Sequence, residues 1–169
     1  MTTSILADGF AHHVWATEHL IDACTTLTRE QLEGPVAGTY GSIVETIRHL
    51  VASDAWYLSF FRDGTDAIDE RAETSLDELR SAMTRNGTAW AEVLAVEVDP
   101  DRDIIELDGD WELHAPVGVR LAQVVHHGTD HRSQICTALT NLGLTPPEID
   151  VWAFGRATGR ERAVAAPAP

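Results

Sequence analysis

Four long stretches of the chain place apolar residues at the three- and four-residue intervals of an amphipathic α-helix. They run from about Ile5 to Leu27, from Ser42 to Phe61, from Ser75 to about Val98 and from Pro116 to Leu142. Each such helix must bury one apolar stripe. In a chain of 169 residues, four stripes are buried most economically when the helices form a bundle.

Local signals mark where these helices begin. Ser42 with Glu45, and Ser75 with Glu78, each form the S-x-x-E capping box that opens a helix. The acidic stretch 63–74 lies between the second and third helices and has the composition of a solvated connection. We therefore expect a crossover there rather than a tight turn.

Shorter elements are predicted around the fourth helix. The apolar runs 104–107 and 111–114 flank Asp108-Gly109-Asp110, which predicts a small hairpin with an Asp-Gly turn. Gly143 is expected to close the fourth helix, and a short fifth helix is expected from about Ile149 to Thr158. The predicted fold class is all-α, a four-helix bundle with a small hairpin before helix four and a short C-terminal helix.

Composition argues against several classes of partner. The charged residues sum to −15 with neutral histidines, and all twelve cations are Arg. Nucleic acid and anionic membrane surfaces attract clustered cations, so neither is an expected partner. The chain shows no leader-peptide pattern and no apolar stretch long enough to span a membrane, which predicts a cytoplasmic protein. We expect one domain over residues 1–162 and a disordered tail over residues 163–169.

Several common site motifs are missing from the sequence. No histidine has a Glu three residues before it, which argues against a di-iron carboxylate bundle. The zincin motif, the nucleophile elbow and the glycine-rich phosphate loop are also absent. Cys24 and Cys136 lie far apart in helical segments, which predicts buried free thiols rather than a disulfide.

The fourth helix offers a pair of histidines on its apolar face. At about 100° per residue, His127 and His131 lie in the apolar arc, whereas His126 lies on the polar face. Residues four apart present two imidazoles to one point, and a divalent cation would satisfy their buried nitrogens. The alternative is a hydrogen-bonded pair of core histidines, with Gly128 only allowing a close helix approach.

A third ligand is expected from another helix, because histidine metal sites use at least three protein donors. His49 is the leading candidate, since it lies on a face of the second helix that also carries aromatic residues. His13 and His114 are the alternatives. His12 and His19 lie on the outer side of the first helix and are expected to be solvated.

The segment from His127 to Ile135 resembles the H-x3-H-R-x-Q-I signature of the DinB-like superfamily. Three further segments resemble the same family: Trp15-Ala16 with Leu20-Ile21, His49 with Asp54 and Trp56, and Pro146-Pro147 followed by Trp152 to Phe154. The chain departs from the family at Ser133, where Gly is frequent, and at Gln123, where an extra histidine is common. Neither departure removes a ligand.

The resemblance implies a four-helix bundle in up-down-down-up order, which agrees with the long connection between helices two and three. It also implies one metal ion held by His49, His127 and His131. Three neutral imidazoles would leave a fourth position for water or substrate. Zn²⁺ or Ni²⁺ is expected, since three nitrogen ligands suit both.

Members of the superfamily include metal-dependent transferases that activate thiols such as bacillithiol or mycothiol, and a mycothiol-dependent maleylpyruvate isomerase. The all-Arg, Ala-rich composition is typical of a GC-rich genome and favours mycothiol as the thiol co-substrate. The resemblance therefore implies S-transfer to a small electrophile, helped by a dry aromatic pocket near Trp56. Two alternatives are a hydrolase that uses metal-bound hydroxide and a non-catalytic module that binds metal or a small molecule.

No catalytic residue is identified beyond the ligands. Asp54, Asp130 and Gln134 are candidate general bases, and each also has a structural interpretation. Arg132 points about 100° away from His131, which predicts a packing or salt-bridge role. The apolar arc of the second helix is wider than one bundle stripe, which predicts a homodimer held by apolar contacts.

Overall fold

A computed structural model describes residues 4–65 and 67–166. The described residues form six helices and one two-stranded sheet, in this order: α1 (Ile5–Cys24), α2 (Arg29–Glu33), α3 (Ile43–Leu58), α4 (Leu76–Leu94), β1 (Asp103–Asp108), β2 (Trp111–Pro116), α5 (Val117–Asn141) and α6 (Val151–Ala157). Residues 1–3 of the expected domain, residue 66 of the acidic connection and residues 167–169 of the expected tail lie outside this description.

Capping boxes open the helices where the sequence predicts them. The Ser42 backbone N–H donates to the Glu45 carboxylate at 2.8 Å, and the Glu45 backbone N–H donates to the Ser42 hydroxyl. Ser75 and Glu78 form the same pair of bonds at the start of α4. These reciprocal bonds satisfy backbone donors that the first turn of a helix leaves without partners.

The four long helices pack around a shared core. α1 and α3 each contact both α4 and α5, which places the apolar stripes of all four helices inward. The buried side chains form two clusters, one around Ile47, Leu79 and Ile135 and one around Leu58, Trp90 and Val124. The up-down-down-up order of these helices stays a prediction.

The hairpin forms at the Asp-Gly turn. β1 and β2 pair antiparallel, with Asp108 opposite Trp111 and Gly109 at a φ of 59°. The Arg120 guanidinium on α5 donates to the Glu106 carboxylate at 3.0 Å and ties the hairpin to the helices. Because these strands form a true sheet, the class all-α is too narrow, and the fold is mostly helical with a small sheet.

The two cysteines are free, as the sequence predicts. Cys24 is fully buried, and burial raises the pKa of its thiol to about 12. Cys136 is only half-buried. Within the described residues, no helix has the length and apolar character that crossing a membrane requires.

Candidate metal centre

α3 and α5 bring three histidine rings together. The Nε2 atom of His127 lies 3.2 Å from Nε2 of His49 and 3.1 Å from Nε2 of His131. One ring nitrogen from each of the three lies within 4.8 Å of the others, so the group could hold a metal ion. His13 and His114, the alternative third ligands, lie elsewhere: His13 faces Asp54, and His114 bonds acidic residues of the hairpin.

The outer nitrogens of two of these rings have oxygen partners. Nδ1 of His49 donates to the Glu70 carboxylate at 3.1 Å, and Nδ1 of His131 donates to the Gln134 side-chain oxygen at 3.2 Å. A proton on each Nδ1 leaves a lone pair on each Nε2. The two rings therefore present acceptor nitrogens towards His127, which is the arrangement that metal-binding histidines use.

Hydrogen bonds alone do not satisfy this arrangement. His127 Nε2 carries at most one proton when the ring is neutral, so it can donate to only one of its two neighbours. The Nε2 lone pair of the other neighbour then lies at little more than 3 Å from a nitrogen that directs no proton towards it. A cation would remove that conflict, and tetrahedral metal–nitrogen bonds of 2.0–2.1 Å place ligand nitrogens about 3.3 Å apart. The donor set fits a divalent ion.

Burial keeps the imidazoles of His127 and His131 neutral. The pKa of His127 falls to about 4, first because burial disfavours the imidazolium and then because His131 and His49 lie close. Burial also lowers the pKa of His131, although its bond to Gln134 opposes the shift. At pH 7 both rings are uncharged and able to donate electron pairs to a metal ion.

Two tyrosines flank the histidines. The Tyr40 ring stacks on His49 at 4.0 Å between ring centroids, and its hydroxyl donates to the Glu70 carboxylate. The Tyr57 ring meets His127 edge-on at 5.7 Å. The prediction of an aromatic wall at Trp56 is wrong. Among the described residues, the tyrosine side chains make the aromatic contacts with the three histidine rings, apart from the contacts of those rings with one another. Trp56 is 46% exposed.

Tyr40 also connects the two halves of the centre. Its backbone N–H donates to the same Gln134 oxygen that accepts from His131, at 2.9 Å. One residue of the loop before α3 thus contacts the surroundings of both His49 and His131. Tyr40 and Glu70 were not expected from the sequence, because they lie in connections that belong to no periodic pattern and to no histidine motif. Tyr57 was not singled out either, although it lies on α3 seven residues after Leu50, where the helical period could have indicated it.

The remaining histidines divide between solvent and structural contacts. His126 is exposed and lies 3.3 Å from the Asp130 carboxylate, so it faces away from the centre as predicted. His19 is exposed, which confirms its predicted position. The prediction for His12 is wrong: it is half-buried and bonds the Ile149 carbonyl at 2.8 Å, because the segment before α6 folds back over α1.

The candidate general bases have other partners. Asp54 is 2% exposed and accepts from His13 and Trp90, so it is a buried structural carboxylate. Asp130 lies on the solvent face of α5, and Gln134 positions His131. Arg132 is buried against His13, which confirms the packing role predicted for it.

Comparison with known proteins agrees with this architecture. The sequence profile of the DinB family matches residues 1–163. The crystal structure of a DinB-like protein from Bacillus cereus superposes with a TM-score of 0.64 at 22% sequence identity, covering 87% of this chain and 98% of that chain. No curated protein matches the chain. With a fold that this structure shares and a profile that spans nearly its whole length, the chain belongs to the DinB family.

Proposed function

We propose that His49, His127 and His131 hold one divalent metal ion, Zn²⁺ or Ni²⁺, and that the centre activates a low-molecular-weight thiol for transfer to a small electrophile. The observation that carries the proposal is the convergence of three Nε2 atoms that hydrogen bonds among themselves cannot satisfy. Membership of the DinB family supports the metal-binding part.

The chain's own residues supply binding and orientation. Glu70 and Gln134 hold the rings of His49 and His131 with their Nε2 atoms turned inward. Outer contacts of this kind fix the tautomer and raise the basicity of a histidine ligand. Bound there, a divalent ion would supply positive charge undiminished by its neutral ligands, which favours the thiolate over the thiol.

The tyrosines restrict access to the centre. Tyr40 covers one face of His49, and Tyr57 packs against His127 while its hydroxyl accepts a bond from Gln123 at 3.3 Å. Burial and the neighbouring Glu70 raise the pKa of Tyr40, so it stays protonated and acts as a hydrogen-bond donor. Any exclusion of water from the centre by these two rings would strengthen the electrostatic stabilisation of a bound thiolate.

We take mycothiol as the thiol, following the all-Arg and Ala-rich composition of the chain. The test is a titration of the Co²⁺-loaded protein with mycothiol or a simple analogue, followed by absorption spectroscopy. Direct binding of the thiolate predicts a sulfur-to-metal charge-transfer band. A Cys136→Ser variant controls for the half-buried native thiol and should give the same band.

Other outcomes would contradict the thiol assignment. If the spectrum stays unchanged with every cellular thiol while the loaded protein cleaves esters or amides, the centre is a hydrolase. If no thiol binds and no hydrolysis occurs, the chain is a module that binds metal or a small molecule without catalysis.

A further inference from the structure

A second polar cluster lies inside the fold, next to the histidine centre. It takes one side chain from each of the four long helices: His13 from α1, Asp54 from α3, Trp90 from α4 and Arg132 from α5. All four residues are 3% exposed or less. We call these four residues the core network.

The hydrogen bonds of the core network lead from Arg132 through His13 to Asp54, and each residue donates to the next. The Arg132 guanidinium donates to Nδ1 of His13 at 2.8 Å, so the ring proton is on Nε2, which donates to Asp54 at 3.0 Å. The Trp90 indole N–H donates to the same carboxylate at 3.1 Å. A neutral imidazole therefore bridges a buried cation and a buried anion, and each charge has a partner.

Three features connect this network to the candidate metal centre. Arg132 directly follows His131, and Asp54 lies five residues after His49 on the same helix. His13 packs against Gly128, which lies between His127 and His131 on α5. The network thus joins α3 to α5 at the level where those two helices carry the three histidines.

We propose that His13, Asp54 and Arg132 are positioning residues for the three-histidine centre, which fix α3 and α5 so that the Nε2 atoms of His49 and His127 meet. This inference rests on the proposed metal site for its functional meaning. It also makes a structural claim that needs no metal ion: the network brings the ring of His49 on α3 into contact with the ring of His127 on α5. Hydrogen bonds to buried charged groups suit this task because they are directional and costly to leave unmade.

The test compares two variants of the full-length protein. His13→Leu removes both hydrogen bonds of the ring at similar volume, whereas Leu79→Ala opens a cavity on α4, which carries no candidate ligand. Two quantities are measured on each folded variant: the nuclear Overhauser effects between the ring protons of His49 and His127 without metal, and the Zn²⁺ affinity by competition with a chelator.

The proposal predicts that His13→Leu loses the ring-to-ring effects and binds Zn²⁺ about tenfold more weakly. Leu79→Ala should keep both properties although it also loses stability. His13→Gln keeps a hydrogen-bond donor and an acceptor in the side chain. It should restore part of the ring-to-ring effects and part of the Zn²⁺ affinity. If His13→Leu does not fold, Trp90→Phe removes the indole N–H that donates to both oxygens of the Asp54 carboxylate, and it should weaken the same two readouts in the same direction.

The proposal is overturned if folded His13→Leu keeps the ring-to-ring effects, or if Leu79→Ala loses them to the same extent. Failure of the proposed function gives a different result. A wild-type protein that binds no Zn²⁺ would refute the metal site, while the ring-to-ring effects in the metal-free variants would still decide whether the network positions the two helices.

Discussion

Gly128 of α5 lies directly against the His13 ring of α1. A Cβ atom at position 128 would overlap both Nδ1 and Cε1 of that imidazole, and it would also crowd the Arg132 guanidinium. The glycine is therefore required for the close approach of α1 to the segment of α5 that carries His127 and His131. This contact links the packing of the core to the geometry of the candidate metal centre.

The first prediction uses this contact. Gly128→Ala should lower the free energy of unfolding by about 1–3 kcal/mol, because the added methyl group overpacks a filled region. Gly9→Ala is the matched control: Gly9 lies within α1, and a Cβ there meets no atom within 4 Å. That variant should gain up to about 1 kcal/mol from helix propensity. Urea denaturation measures both values, and equal effects of the two variants would contradict the packing described here.

The second prediction concerns pH. Since the pKa of His127 is about 4 in the folded protein against 6.5 ordinarily, the unfolded chain binds more protons between these values. The metal-free protein should therefore lose stability as the pH falls from about 6.5 towards 4. Above about pH 6.5 the contribution of His127 to stability is fully present and no longer changes with pH. Urea denaturation in the presence of a chelator, at several pH values, measures the slope. His127→Gln should flatten it, and an unchanged slope would show that His127 titrates normally.

The third prediction tests the acidic connection before α4. Glu70→Ala should weaken Zn²⁺ binding about tenfold or more, because His49 would lose the carboxylate that orients its ring. Glu73→Ala removes the same charge from a side chain that is 96% exposed in the same segment. Competition with a chelating dye should detect a loss in the first variant only. Comparable losses of Zn²⁺ affinity in the two variants would mean that the affinity depends on the net charge of the connection and not on the contact between Glu70 and His49.

The fourth prediction is a homodimer held by apolar contacts. Several large apolar side chains are exposed on the monomer, including Trp56, Trp111 and Trp152. A chain with a net charge of −15 gains nothing by placing its charged faces together, so these apolar surfaces are the expected contacts. Sedimentation equilibrium at micromolar concentration and moderate salt should give about twice the mass of one chain. A mass equal to one chain would refute the dimer.

Helix starts were predictable because their signals are local. The capping boxes at Ser42 and Ser75 open α3 and α4, and the same kind of box, formed by Thr28 and Gln31, opens α2. That helix was not predicted, although its signal is present in the sequence. The ends of the first three long helices were placed three or four residues too late, since apolar residues continue beyond Cys24 and Leu94 and pack in non-helical conformations. The end of the fourth was placed only one residue too late, at Leu142 instead of Asn141.

The histidine centre was predictable only in part. The periodicity of α5 places His127 and His131 on one face, and the family resemblance selects His49 from three candidates. Tyr40 and Glu70 lie in connections before α3 and α4, where no period indicates direction. Their contacts with His49 depend on how the chain crosses over the helices, which is a property of the tertiary fold. The core network likewise needs four helices packed together before its members meet.

The most direct test of the account is the number of metal ions that one chain holds. Equilibrium dialysis against Zn²⁺, followed by elemental analysis, should give about one ion per chain for the wild-type protein. His131→Ala and His127→Ala should lose tight binding, since each removes one of three ligands. His126→Ala, on the solvent face of the same helix, should retain the full amount. Full retention of zinc by the His127 or His131 variant, or an equal loss in His126→Ala, would contradict the three-histidine centre.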